Sequence, residues 1–325
     1  MKTNKVLVTG ASGFIGRAVS LELANQKYFS RLVVRKNNYS LFKLNKFSEF
    51  FYIKNIDSKT DWSEALKGVN SIIHCASANN NATAFSSKSQ FLNSNIMSEV
   101  LTSCNLAQQA ASANVRRFIF LSTIKVNGEK TTKSTAFKNS DIPKPENLYS
   151  ISKFEIEKLL WEISNKTGLE AVIIRPPLVY GEGVRGNFLN LLNLVYRGIP
   201  LPFSRIDNYR SLVGVDNLVD LIITCIEHPG AVGKTFLISD DEVISTPHLI
   251  MKLAKEMQKK VRLFSFPPIL IRLMGKLIRK SPEIERLFDS LIVDSYYTKQ
   301  LLNWKTPFSL DEGLKKTVKW YLHTR

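Results

Sequence analysis

Three sets of residues have types and spacings that do chemistry. Gly10, Gly13 and Gly16 follow a short apolar run, Lys5 to Val8, and precede the helix-like stretch Arg17-Ala-Val-Ser-Leu-Glu-Leu-Ala24. Glycine permits a tight turn at the first position, close approach of the backbone to a pyrophosphate at the second and tight helix–strand packing at the third, and the helix N-terminus offers unpaired N–H groups to an anion. Ser122 and Thr123 place two hydroxyls at the end of another apolar run. Tyr149 and Lys153 stand four residues apart at the head of a helical stretch, so phenol and ammonium share one helical face. A phenol titrates at about pH 10 and an adjacent ammonium stabilises its anion, which makes such a pair able to pass a proton. Tyr39 and Lys43 share the spacing, but only Tyr149 follows a hydroxyl-tipped strand, 26 residues after Thr123.

The elements that must position these groups are legible in outline. Strands are predicted at Phe29–Arg35, Phe50–Ile56, Gly68–Ser77, Arg117–Thr123 and Glu170–Arg175. Between them come helices at Trp62–Leu66, at Ser94–Ala113 with Leu101, Leu106 and Ala110 on its apolar side, and at Tyr149–Lys166. Alternation of this kind predicts an α/β protein with a Rossmann-type doubly wound parallel sheet. Ligands then lie beyond the C-terminal ends of the strands, so Ser122 and Thr123 are expected to point into the site. The small residues Cys75, Ala76 and Ser77 leave room for a flat cofactor, and the polar stretch 127–147 reads as a loop over it.

The glycine spacing G-x-x-G-x-x-G departs from the dinucleotide fingerprint, whereas Gly181, Gly183 and Gly186 match it literally. That copy follows Arg175-Pro-Pro-Leu-Val-Tyr180, where two prolines exclude an ordinary inner strand, so it reads as a loop and the cofactor belongs at the N-terminus. The second strand ends at Arg35, about 20 residues past the glycines, where an acid would hold the ribose 2′-hydroxyl of NAD. A cation there suits a 2′-phosphate and favours NADP(H) over NAD(H). Asp57, after the third strand, suits either a hydrogen bond to adenine or an ordinary turn. Beyond residue 175 the alternation lapses into helices at Asn187–Tyr196, Asn217–Glu227 and Leu249–Lys259 and strands at Leu212–Val215 and Lys234–Ser239. Residues 1–175 are expected to form the NAD(P)-binding domain. Residues 176–325 are expected to form mainly a smaller substrate-binding lobe, with the segment about 208–240 returning to the core.

A chain of 325 residues can bury one large core with such a lobe. The cysteines, Cys75, Cys104 and Cys225, are far apart and form no C-x-x-C, which suits a reduced compartment. The four histidines have no metal-ligand spacing, and no metal is expected. Without a basic leader and apolar core at the start, or a run of about 18 apolar residues, a cytoplasmic location is expected. The net charge is +17, and 16 Lys and Arg against 7 Asp and Glu in residues 251–325 carry +9 of it, which favours anionic ligands or is simply a solvated basic face. No nucleic-acid partner is expected. The apolar stretch Pro267–Lys280, with Arg272, Lys276, Arg279 and Lys280 about one turn apart, suits weak contact with an anionic membrane face or a lobe helix with a wet charged edge.

Four blocks, T-G-A-S-G-F-I-G at 9–16, L-S-T at 121–123, Y-S-I-S-K at 149–153 and R-P-P-L-V-Y-G at 175–181, resemble the extended short-chain dehydrogenases/reductases, in particular the NAD-dependent epimerase/dehydratase family acting on nucleotide sugars. Further blocks at 124–129, 208–218 and 233–239 are similar to a bacterial branch that includes UDP-glucose 4-epimerases and UDP-N-acetyl-quinovosamine dehydrogenases. The resemblance implies that Tyr149 passes the proton, Lys153 holds the nicotinamide ribose and Thr123 hydrogen-bonds the reacting sugar oxygen. It implies a dinucleotide site of Gly10, Ser12, Gly13, Phe14, Ile15, Gly16, Arg35, Ile56, Asp57, Cys75, Ala76, Ser77, Asn95, Tyr149, Lys153 and Pro176. The UDP-sugar would be held by Ser122, Thr123, Arg185, Asn187 and Arg210, although Asn187 equally suits a helix cap and Arg210 a surface cation. The implied activity is oxidoreduction at C4 of a UDP-linked sugar. Arg35 favours a 4-ketoreductase making a UDP-N-acetyl-6-deoxyhexosamine for surface polysaccharide. The alternatives are a 4-epimerase and a non-catalytic NADP-sensing protein, the latter disfavoured by the intact Thr123, Tyr149 and Lys153. A homodimer through Ser94–Ala113 and Tyr149–Lys166 is also implied.

Overall fold

Val6, Leu7 and Val8 are all fully buried, and because successive strand side chains face opposite ways, this strand must be covered on both sides. In the computed structural model, which describes residues 2–35, 46–76, 88–267, 269–271, 273, 285 and 287–325, it is β1 (Lys2–Thr9), an interior strand of a seven-stranded sheet. The other strands are β2 (Tyr28–Val34), β3 (Ser48–Tyr52), β4 (Val69–His74), β5 (Arg117–Leu121), β6 (Glu170–Arg175) and β9 (Lys234–Leu237). Their order is β3-β2-β1-β4-β5-β6-β9 and every pairing is parallel. The winding reverses between β1 and β4, which makes the crevice beyond their carboxyl ends the ligand position of a doubly wound fold.

Helices cover both faces. On one side α1 (Phe14–Asn25) and α6 (Val215–Glu227) bury Val19, Leu23, Leu218 and Ile222 against the sheet. On the other, α2 (Ser63–Leu66), α3 (Lys88–Ser112) and α4 (Leu148–Thr167) bury Leu66, Leu106, Ala110, Ile156 and Leu160. Leu101, expected beside Leu106 and Ala110, is 45% exposed. Five residues turn a helix by about 500°, so Leu101 lies about 140° around the axis from Leu106.

The strands are shorter than the apolar runs suggest. β3 stops at Tyr52, β4 at His74 and β5 at Leu121, which leaves Ile56, Asp57, Cys75, Ala76, Ser122 and Thr123 in the connections beyond the strand ends. After β6 the two prolines lead into β7 (Leu178–Tyr180), an edge strand of a separate three-stranded sheet, where it runs parallel to β8 (Arg210–Gly214). β10 (Val243–Ile244) completes that sheet antiparallel to β8. Helices α5 (Gly186–Tyr196) and α7 (Thr246–Glu256) pack around it with α9 (Leu310–His323), while α8 (Tyr296–Leu302) lies against β9. Buried Asp240 accepts hydrogen bonds from the Tyr180 hydroxyl (2.7 Å), the Gly214 N–H and the Asn217 amide, tying β7, β8 and α6 together. The basic positions Arg272, Lys276, Arg279 and Lys280 lie outside the described residues. No helix among the described residues is long and apolar enough to cross a membrane.

Candidate active site

The glycine turn joins β1 to α1 at the point where the winding reverses. Gly10 has φ +69°, and a side chain there would sit 2.7 Å from the Ala76 nitrogen and 2.8 Å from the Cys75 carbonyl carbon. At Gly16 a side chain would run into the Gly10 carbonyl. Both positions therefore require glycine, one for its dihedral and both for space. Gly13 is the N-cap of α1 with no side-chain cap, and the first turn carries no acid. The N–H groups of this turn, at Phe14 and Ile15, are thus open to an anion, which fits the pyrophosphate of a dinucleotide.

The literal fingerprint Gly181-Glu-Gly-Val-Arg-Gly186 is a loop leading into α5, and it comes up against the first turn. A cavity of about 480 Å³ has Ser12, Gly13 and Phe14 on one side and Glu182, Gly183 and Arg185 on the other. Arg185 therefore stands beside the glycine turn, and it occupies the cap position of α5 without capping by its side chain. Asn187 lies inside that helix and is exposed, so the alternative in which it caps α5 is corrected. Arg210 belongs to β8, where its guanidinium donates to the Asp289 carbonyl at 3.0 Å; it is partly buried rather than a loose surface cation.

Arg35 follows β2 directly and is exposed. Ile56 packs at the edge of the core beneath α3, and the Asp57 carboxylate closes a local turn by accepting from the Lys59 N–H (2.9 Å) and the Thr60 hydroxyl (3.2 Å). Ser77 lies outside the described residues, as does the side chain of Asn95.

Ser122 and Thr123 do not face the same way. The Ser122 hydroxyl donates to the buried Glu157 carboxylate of α4, which is forked by Arg175, whose other arm reaches Asn127 at 2.9 Å. Adjacent residues of extended chain point opposite ways, so the Ser122 hydroxyl, engaged by Glu157, faces away from that of Thr123. Thr123, 8% exposed, accepts from the Lys125 N–H and retains a hydrogen to donate. The Pro176 carbonyl accepts from the Ile124 N–H, fixing this corner against the end of β6.

A capping box sets the start of α4: the Asn147 side chain accepts from the Ser150 N–H at 2.9 Å and the Ser150 hydroxyl from the Asn147 N–H at 3.2 Å. Tyr149 in that first turn is 44% exposed, whereas Lys153 one turn on is 2% exposed. The Lys153 ammonium is 5.7 Å from the centre of the Tyr149 ring, 5.0 Å from that of Phe120 at the end of β5 and 3.1 Å from the Glu99 carboxylate. At the end of β4, buried His74 bonds Thr9 through Nδ1 (2.7 Å) and Ser103 through Nε2 (3.0 Å). Burial, helped by the charge of Lys153, holds its pKa down at about 3, so the imidazole is neutral. Glu99, His74 and the Glu157–Arg175 pair were not anticipated, because their partners lie 29 to 65 residues away in sequence or, for Glu157, on a strand not read as its neighbour.

An exposed phenol with a buried ammonium behind it, at the strand ends beside an uncapped glycine turn, defines the Rossmann-type short-chain dehydrogenase class. Residues 6–239 match the NAD dependent epimerase/dehydratase family, and the chain belongs to it. A UDP-glucose 4-epimerase of Vibrio cholerae is 40% identical over 98% of this chain and 95% of its own length. A dTDP-4-dehydro-6-deoxyglucose reductase of Escherichia coli is 23% identical over 98% of both. Among solved structures, UDP-glucuronic acid 4-epimerase from Bacillus cereus in complex with NAD has a TM-score of 0.78 at 21% identity, covering 98% of this chain and 99% of that one.

Proposed function

We propose that the protein moves a hydride between bound NAD(P) and C4 of a UDP-linked sugar. The observation that carries this is the pairing of exposed Tyr149 with buried Lys153 at the carboxyl ends of β4 and β5. The dinucleotide would be held by the N–H groups of the Gly10–Gly16 turn, by the backbone at Cys75 and Ala76, and by Lys153. When bound, it supplies or takes the hydride. Tyr149 gives or removes the proton of the C4 hydroxyl, and the Lys153 charge stabilises the phenolate that this leaves. Thr123 donates to the same oxygen and keeps it aligned. Arg185 and Arg210 are assigned to the diphosphate, for which a guanidinium fork is suited.

In the finer reading the protein is a 4-ketoreductase that makes a UDP-N-acetyl-6-deoxyhexosamine, because exposed Arg35 after β2 suits the 2′-phosphate of NADPH, the reductant of synthesis. The Vibrio cholerae relative favours a second reading, a 4-epimerase that retains its nucleotide. Purified protein is given a UDP-4-keto-6-deoxy sugar with NADPH and, separately, UDP-glucose and UDP-N-acetylglucosamine alone. Stoichiometric loss of NADPH absorbance supports the reductase. Interconversion of C4 epimers with no net change in nucleotide overturns it in favour of the epimerase, and no turnover of any UDP-sugar overturns both.

A further inference from the structure

Lys153 raises a question of charge. An ammonium with 2% exposure has lost its water, and a buried charge is tolerated only with a partner. Phe120 of β5 offers a ring face, and His74 and Cys75 at the end of β4 are uncharged, the imidazole through burial. Tyr149 of α4 offers the face of its ring, and Glu157, four residues along the same helix, is committed to Arg175 and Ser122. The counter-charge comes from Glu99 of α3, whose Oε1 is 3.1 Å from the ammonium and whose side chain is 11% exposed. Its Oε2 accepts from the Ser152 hydroxyl at 3.1 Å, so the carboxylate of α3 meets two adjacent residues of α4.

We propose that Glu99 is the positioning residue of this site: it compensates the buried charge of Lys153 and holds the ammonium behind Tyr149, leaving its remaining N–H bonds for the ligand. The proposal rests on the reading of Tyr149 and Lys153 as the proton-passing pair. It also has a consequence that needs no turnover. If Glu99 serves the charge of Lys153, removing its own charge harms the protein only while Lys153 is present.

Two measurements test it. In the ligand-free protein, Glu99→Gln keeps the size of the side chain, and its melting temperature should fall by several degrees. In the Glu99→Gln/Lys153→Met double variant that loss should be largely recovered, since no buried ammonium remains to be compensated. In the turnover assay, Glu99→Gln should lower kcat by roughly tenfold or more with KM changed by less than about threefold, and the loss should deepen as the pH is raised from about 6 to about 9. A melting loss that the double variant fails to recover, or a kcat loss independent of pH, would make Glu99 an ordinary brace between two helices and overturn the proposal. If wild type turns over no UDP-sugar, the functional reading falls while the melting comparison still decides the role of Glu99.

Discussion

Arg175 lays its guanidinium fork across both oxygens of Glu157, Nε to Oε1 at 3.0 Å and Nη2 to Oε2 at 2.5 Å, with the two side chains only 7% and 1% exposed. Glu157 follows Lys153 by one helical turn, so this fork pins α4 to the end of β6 on the face that carries the ammonium. A fork of that kind is stronger and more directional than a single ion pair.

Removing one partner leaves an uncompensated buried charge. Arg175→Met and Glu157→Leu should each destabilise the fold by about 3–5 kcal/mol, while the Arg175→Met/Glu157→Leu double variant should lose less than the sum. Urea unfolding midpoints at constant slope check this. Additive losses would mean that the two side chains act independently.

Tyr149→Phe removes one hydroxyl from a half-exposed side chain, so folding should be intact and turnover should drop by about 10²- to 10⁴-fold. The melting temperature and the retention of NAD(P) should match wild type. Unchanged activity would instead point to a binding role for the protein.

Gly10→Ala should fail structurally. The φ of +69° costs a non-glycine residue roughly 1–2 kcal/mol, and the added methyl meets rigid backbone at Cys75 and Ala76, neither of which is the end of a flexible side chain. The variant should melt well below wild type and lose nucleotide affinity with it. Gly233, also at positive φ (+69°) but with open space around it, should tolerate alanine far better.

What could be read from residue order alone was the local chemistry. The glycine turn, the alternation of strand and helix, and the Tyr149–Lys153 face all follow from spacings of a few residues, and they stand where expected. Strand ends are less legible, because an apolar run does not mark where sheet pairing stops: Asp57 takes the turn that was one of its two readings, and the Ser122 hydroxyl is engaged by Glu157. The partners of Lys153 and Glu157 were hidden for a different reason. Glu99 reaches Lys153 only because α3 and α4 lie side by side, and Arg175 reaches Glu157 only once β6 is laid beside β5. Nothing in a helical stretch of mixed polarity marks one glutamate as buried.

The acid limb of stability should carry the signature of His74. Its folded pKa of about 3 lies below the ordinary 6.5, so between those values the unfolded chain binds a proton that the folded one refuses. Stability is therefore fully present above about pH 6.5 and is lost as the pH falls toward 3, at up to about 1.4 kcal/mol per pH unit. In His74→Gln that part of the slope should vanish, whatever the variant costs at neutral pH. Denaturant unfolding at a series of pH values checks it, and an unchanged slope would mean that the imidazole is protonated in the folded state.

Arg35 bears on which dinucleotide is used. An exposed guanidinium that meets a 2′-phosphate contributes a charge-assisted hydrogen bond of about 1.5–3 kcal/mol, and nothing comparable with a 2′-hydroxyl. Arg35→Ala should therefore weaken NADPH binding by roughly tenfold to a hundredfold and leave NADH binding within about threefold. Being exposed and past the end of β2, the side chain can be removed without disturbing the core, so the melting temperature should not move. Fluorescence titration of the two reduced nucleotides measures both affinities directly. Equal effects on NADPH and NADH would detach Arg35 from the 2′ position and remove the argument for a reductase over an epimerase.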